Sequence, residues 1–522
     1  MFDLVANRAD INPFTAFIDL EGPLGADIQN LLELTGIQQD LLDPVLALAA
    51  SPAGCAHSAE SASCRGFNEA MELMSPLDSV FLMTESREHP MHVGGLQLFE
   101  PPEGAGPDFV REAHDTLVAN RDFQPTFRKR PGWVFGGLPN VAWTYDDPDD
   151  VEVEYHLRRS ALPTPGRVRE LLELTSRWHS GLLDRHRPLW EAHFVEGLND
   201  GRFALYSKFH HSLIDGVSAL RLMQRTLSAN PDDTDMQAMW DLPRRRRETT
   251  ESKRPSLSKL AGSVAAYGPS TWSLARAALV EQQLTLPFAA PRTMFNVPIG
   301  GARRIAAQSW GIDRVKSIKA AAGVTFNDVI LAMCAGALRY YLLDERALPD
   351  TPLIAMVPVS MRSEADADAG GNQVGALLCN LATDVDDAAK RLETINASMR
   401  GNKKVFSELP RLQAYALSAS LIAPLGLSMI PGFVSTAPPP FNIVISNVPG
   451  PTKPMYWGGA RLDGNYPLSI ALDGQALNIT MVTNADNIDF GLVGCRRSVP
   501  HLQRLLGHLE TSLKDLERAV GV

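Results

Sequence analysis

Residues 203–218 read FALYSKFHHSLIDGVS, an alternating strand that runs into two adjacent histidines, an Asp-Gly step and then a helix. Side chains alternate across a strand, so Phe203, Leu205, Phe209 and His211 share one face. His210 points the other way with Ala204, Tyr206 and Lys208. The end of a buried strand is a stiff platform, and an imidazole held there meets a partner in one orientation. Imidazole also titrates nearest neutrality, which suits it to take a proton from an alcohol or amine. Gly216 is expected to permit a tight turn, and Asp215 to hold that turn or pair with a cation.

Two plainer readings compete with this one. The histidines could be core or surface residues beside a turn, but strand, turn and helix signals all fall where the motif needs them. A metal site fits less well, because neighbouring strand residues face opposite ways and no third ligand lies at a recognised spacing. Five cysteines without a CxxC pair suit free thiols in a reducing compartment. A formal net charge of -11 argues against nucleic acid as the main partner. MFDLVANRAD has acidic residues where a secretory signal would be apolar, so a cytoplasmic protein is expected. No run of about eighteen apolar residues escapes a proline or glycine, which argues against a spanning helix.

At 522 residues the chain has room for two large domains. Residues 1–70 differ from the rest. They are either a loosely attached extension or a leader upstream of a true start at Met71 or Met74. The first lobe is expected over 71–243, opening at the capped helix start Ser75-Pro76. Val151–Leu157 reads as a strand and Thr164–Leu183 as a helix. Pro188, Leu189 and Trp190 make a rigid turn into a strand that pairs with Phe203–His211 as a hairpin. Strands and helices mix without strict alternation, which predicts mixed α+β layers.

Residues 244–299 are expected to link the halves and carry the run Arg244–Arg247, a solvated segment or a membrane-surface or polyphosphate contact. The second lobe spans 300–522. Thr325 caps a long helix with Asn327 and Asp328 in its first turn, which by itself is ordinary helix-start chemistry. A strand over Leu353–Val359 leads to Arg362. Leu412–Thr452 has no charged side chain, and prolines break it into core or lipid-facing pieces. No GxSxG, Walker loop or GxGxxG occurs, so serine-hydrolase, nucleotide-hydrolysing and dinucleotide readings have no support.

HHSLIDG at 210–216, PLW at 188–190, Asn327-Asp328 and SNVPGP at 446–451 together resemble the bacterial wax ester synthase/diacylglycerol acyltransferases. PLDSVFLMTESREHPMHVGGLQLF and GGNQVG fit the same family, so the likeness covers about 74–520. HHxxxDG alone is shared with peptide-synthetase condensation domains, plant acyltransferases and chloramphenicol acetyltransferase.

The resemblance implies two chloramphenicol-acetyltransferase-like α/β lobes with a substrate channel between them. It implies transfer of a long-chain acyl group from acyl-CoA to a fatty alcohol or diacylglycerol, with no bound cofactor or metal. His211 would be the general base and His210 its support. Asp215 would be structural, paired with Arg362, and Asn327 would bind the oxyanion or place a substrate. Gly216, Pro188, Trp190, Asp328, Asn447 and Gly450 would be architectural or line the channel. Cys334 and Cys379 lie in apolar segments and read as core. Apolar substrates imply a peripheral site on the inner membrane face or on lipid droplets. Competing readings are a condensation-type enzyme with another acceptor and a non-catalytic acyl-CoA or droplet-binding homologue.

Overall fold

The computed structural model describes residues 71–134, 138–242, 288–360, 374–409 and 432–522, with the single positions 417 and 421. The leader 1–70, the run Arg244–Arg247, Arg362 and the turn at 370–373 lie outside the described residues. In chain order the first strands are β1 (Met71–Leu73), β2 (His92–Glu100), β3 (Lys129–Val134), β4 (Leu138–Tyr145), β5 (Leu157–Ala161), β6 (Trp190–Glu196) and β7 (Phe203–His210). The later ones are β8 (Arg303–Gly311), β9 (Ile354–Ser360), β10 (Val374–Asn380), β11 (Ile443–Val448), β12 (Tyr456–Trp457), β13 (Ala460–Leu468), β14 (Leu477–Asn484) and β15 (Asn487–Cys495). The helices among them are α1 (Pro76–Thr84), α2 (Phe109–Ala119), α3 (Val153–His156), α4 (Val168–Ser180) and α5 (Gly216–Arg225). After these come α6 (Ile312–Ala322), α7 (Phe326–Asp344), α8 (Ala388–Glu408), α9 (Phe433–Thr436) and α10 (Arg504–Val520).

Two six-stranded mixed sheets organise the described chain, in the orders β12-β13-β2-β7-β6-β5 and β10-β9-β11-β14-β15-β8. A three-stranded sheet, β1-β4-β3, accompanies them. The architecture is thus the expected mixed α/β one. β7 sits in the middle of the first sheet, antiparallel to β6 as the expected hairpin and to β2 on its other side. His92 pairs with His210 and Trp190 with Phe209, so the histidine end of β7 is braced from both flanks. Its burial on both faces follows from apolar side chains on one face and a hydrogen-bonded polar group on the other.

Several element boundaries depart from the sequence reading. The expected strand Val151–Leu157 is a helical turn, α3, followed by β5. The helix expected from Thr164 starts only at Val168. Gly166 takes φ +72, which breaks the helical path, and Arg167 and Glu170 form the capping contacts. β13, missed in a segment rich in Gly, Asn and Pro, leaves the C-terminal half to pair with β2 of the first sheet. It also touches β14 and β15 of the second sheet, so it ties the two sheets together.

A second tie comes from α4. Its Ser176 and Ser180 hydroxyls accept the backbone N–H groups of Ile305 and Arg303 at 2.9 and 2.8 Å. Those donors belong to β8, the sheet's edge strand, and would otherwise be unpaired. The largest core surrounds α7, which is apolar and long enough to cross a membrane by composition but is the central helix here. Thr325 caps it as expected, in a reciprocal box with Asp328.

Candidate active site

The two histidines sit where β7 ends, and their environments differ. His210, the last strand residue, is fully buried. Its Nδ1 lies 2.6 Å from Ser212 Oγ and 3.2 Å from Ser212 N, and its Nε2 lies 3.3 Å from Glu85 Oε1. His211 stands just past the strand and is only half-buried. Its N–H donates to Met91 O at 2.8 Å, and the Phe81 ring of α1 stacks on it at 4.4 Å between centroids.

Enclosure of the ring pushes the His211 imidazole down to about 4. The charge of Asp215 and a hydrogen bond from the ring to its own backbone oppose that shift without cancelling it. A neutral imidazole keeps one nitrogen lone pair, which a general base requires.

Asp215 is the N-cap of α5. Its Oδ1 accepts from Ser218 N at 2.9 Å and its Oδ2 from Ser218 Oγ at 2.7 Å. Its structural role therefore rests on the helix start, and the expected partner Arg362 lies outside the described residues. Gly216 does not do what the turn reading required. It has no positive φ, and an added Cβ would meet only Val93 Cγ1 at an ordinary 3.8 Å. The chain turns here because Asp215 caps a helix, and a glycine is not needed for that.

The second-half motifs reach this place through packing. Val448 in SNVPGP packs against Val217, Leu220 and Met223 of α5, the helix that follows the histidines. Its neighbour Asn447 donates from Nδ2 to Asn327 Oδ1 at 3.5 Å. Asp328 is buried, accepting from Thr325 N at 2.9 Å and Asn396 Nδ2 at 2.7 Å, so it anchors the helix start. Gly450 is required by close approach, since a Cβ there would fall 1.9 Å from Thr483 O. Among the described residues no hydrogen bond or ion pair joins Asn327 to His211.

Pro188 leads directly into β6, and its carbonyl accepts the Trp190 N–H at 2.9 Å. Trp190 is wholly buried, donates to Phe127 O at 3.0 Å and stacks on His156. Leu189 between them accepts the His210 N–H at 3.0 Å, which links PLW to the histidine pair. Cys334 and Cys379 are buried with their thiols pushed up by desolvation, as core residues should be. Sequence reasoning missed Glu85 and Phe81, both contributed by the SPLDSVFLMTE segment. The signal available was a carboxylate one residue beyond an apolar helix, directly before the strand that pairs with β7. Among the described residues no group of three or more His, Cys, Asp or Glu is arranged to hold a metal ion.

Comparison with known proteins identifies the arrangement. Residues 74–330 match the family model described as wax ester synthase/diacylglycerol acyltransferase catalytic domain, and residues 370–517 match the WS/DGAT C-terminal domain. The chain belongs to the wax ester synthase/diacylglycerol acyltransferase family. A Mycobacterium tuberculosis protein named as a probable diacylglycerol O-acyltransferase is 70% identical to this WS/DGAT chain over 456 residues. That alignment covers 87% of this chain and all of the relative. The solved wax ester synthase/diacylglycerol acyltransferase of Marinobacter aquaeolei VT8 is 41% identical with a TM-score of 0.68. It covers 86% of this chain and 100% of its own. The two-sheet layout is therefore that of WS/DGAT enzymes, and the histidine pair lies inside the catalytic-domain match.

Proposed function

We propose that this WS/DGAT chain transfers a long-chain acyl group from acyl-CoA to the hydroxyl of a diacylglycerol or fatty alcohol, with His211 as the general base. The observation that carries the reading is the His211 ring, stacked on Phe81 at the end of β7 and kept from charging by its enclosure. Nε2 takes the acceptor's hydroxyl proton as the oxygen attacks the thioester carbon. The tetrahedral intermediate then collapses, the C–S bond breaks, and the proton on His211 passes to the departing CoA sulfur. The products are an ester and free CoA, and no acyl-enzyme is required. With Asn447 aimed at its Oδ1, Asn327 has Nδ2 left to donate to the oxyanion. Acyl-CoA is a cosubstrate in this scheme, and the residues described need no bound cofactor or metal to carry it.

The reading extends to a cytoplasmic protein working at a lipid surface, on the inner membrane face or on droplets. Its support is the apolar substrate class and the exposed side chains of Leu73, Val80 and Met83 near α1. Flotation with lipid vesicles tests this part, and protein left wholly in the soluble fraction would reject it.

The deciding experiment follows CoA release and ester products from palmitoyl-CoA, offering hexadecanol and diacylglycerol separately. Wild type and His211→Ala are run together. Removing a general base lowers turnover by about 100- to 10,000-fold. Ester formed by wild type and lost in the variant is the expected result. Acyl-CoA binding without ester from either acceptor would overturn it.

A further inference from the structure

Glu85 caps the C-terminal end of α1, and its carboxylate is 1% exposed. Oε2 accepts two bonds from the Arg185 guanidinium, at 3.2 and 2.9 Å. Oε1 faces the site. It accepts the Met91 N–H at 3.2 Å and lies 3.3 Å from His210 Nε2. Burial alone would raise this carboxyl, but the contacts of His210, Met91 and Arg185 outweigh it and hold the group below its ordinary value. Glu85 is therefore ionised at neutral pH.

Each of Oε1's two contacts continues to a different side of the histidine pair. Through Met91 it reaches the main chain of His211, because Met91 O accepts the His211 N–H at 2.8 Å. Through His210 it reaches a ring whose proton position can be deduced. Ser212 N donates toward Nδ1 at 3.2 Å, which favours a lone pair on Nδ1 and the proton on Nε2, the nitrogen that faces Glu85. A proton on Nδ1 would face the Ser212 N–H head-on. Nε2 lies 3.3 Å from the Glu85 carboxylate.

We propose that Glu85 is a positioning residue for acyl transfer, one buried carboxylate that fixes the His210 tautomer and, through Met91, the backbone of His211. The inference rests on the reading of His211 as the base. Phe81, one turn earlier on α1, lies over the His211 ring, so a single helix end orients both histidines. Glu85 touches no reacting atom in this scheme. It acts by keeping the His211 ring on target.

Wild type, Glu85→Gln and Arg185→Met are compared, with His210→Gln made for signal assignment. Arg185→Met removes the same outer ion pair but leaves Oε1 with His210 and Met91, so it controls for lost stability. Glu85→Gln cannot satisfy Arg185, Met91 and His210 together, because its amide nitrogen must face one of these donors. Expected for folded Glu85→Gln is a kcat about 10- to 100-fold lower, with KM for both substrates within about threefold. Arg185→Met should retain kcat within about threefold. Histidine-selective 15N spectra, with the His210 signal assigned by its loss in His210→Gln, should show one Nε2–H tautomer in wild type. In Glu85→Gln they should show a mixture. Equal kcat in folded Glu85→Gln and wild type would overturn the proposal. So would an Arg185→Met loss as large as that of Glu85→Gln, which would mark a general packing effect. A wild type that makes no ester fails the enzymatic reading instead, and the tautomer spectra still decide whether Glu85 fixes His210.

Discussion

The Phe81 and His211 rings lie 4.4 Å apart between centroids at an interplanar angle of 28°, so the candidate base is covered on one face by a side chain from α1. That cover both orients the imidazole and keeps water from it. Enclosure is the main reason the ring stays uncharged, with its pKa down to about 4.

The first prediction concerns this stack. Aromatic pairs contribute about 0.5–1.5 kcal/mol, so Phe81→Leu should lower turnover roughly two- to tenfold. The acid limb of kcat/KM in wild type should fall well below pH 6.5, since a base works only when unprotonated. Phe81→Leu exposes the ring and should move that limb upward toward 6.5. A wild-type limb already at 6.5 would contradict the enclosed state of His211.

Asn327 tests the oxyanion role. Its Oδ1 is engaged by Asn447, which leaves Nδ2 as the donor. Asn327→Ala should lower kcat about 100- to 1,000-fold with little change in stability. Asn447→Ala removes only the orienting contact and should cost less. Near-normal turnover in Asn327→Ala would return this residue to helix-start chemistry alone.

The two motif glycines should respond oppositely to alanine. At Gly450 the new Cβ would collide with Thr483 O, and overpacking of this kind costs about 1–3 kcal/mol. At Gly216 the nearest atom is 3.8 Å away and the backbone is that of a helix start, so Gly216→Ala should melt like wild type. Thermal unfolding of the two variants distinguishes them. If Gly216→Ala folds normally and loses activity, the glycine is there to leave room for substrate.

Acid stability follows from buried neutral histidines. His156, bonded to Trp190 O and stacked on its ring, is pushed down to about 4 by burial. His179, bonded to the Tyr206 hydroxyl, is pushed down to about 3 by burial and the nearby charges of Lys208 and Arg303. The folded state refuses protons that the unfolded chain accepts below about pH 6.5. Their contribution is therefore complete above 6.5 and shrinks as pH falls toward the folded values, by roughly 1.4 kcal/mol per pH unit for each group. Melting temperature should drop between pH 6.5 and 5. A flat profile there would show that these histidines are open to solvent.

Much of this was legible in the chain itself. Strand alternation, the Asp-Gly step and the PLW turn sufficed to place a hairpin with two histidines at its end, because these are short-range effects of side-chain period and backbone geometry. The same locality let Thr325 be read as a helix cap. Family resemblance supplied the expected roles of His211 and Asn327, which spacing alone left open.

What local pattern could not supply was everything that depends on distant chain meeting in space. Glu85 and His210 are far apart in sequence, and only the pairing of β2 with β7 brings the segment after α1 beneath the histidine. β13 has no strong strand signal of its own, and it becomes a strand because β2 offers it unpaired backbone groups. Gly216 looked like a turn residue because Asp-Gly is a turn signal, whereas the tertiary structure uses Asp215 to start a helix. Periodicity and turn chemistry thus decided which elements form and which residues end up on which face. Contacts between elements decided which carboxylate stands beside His210 and what keeps His211 neutral, since desolvation and long-range contacts exist only once the sheets are assembled.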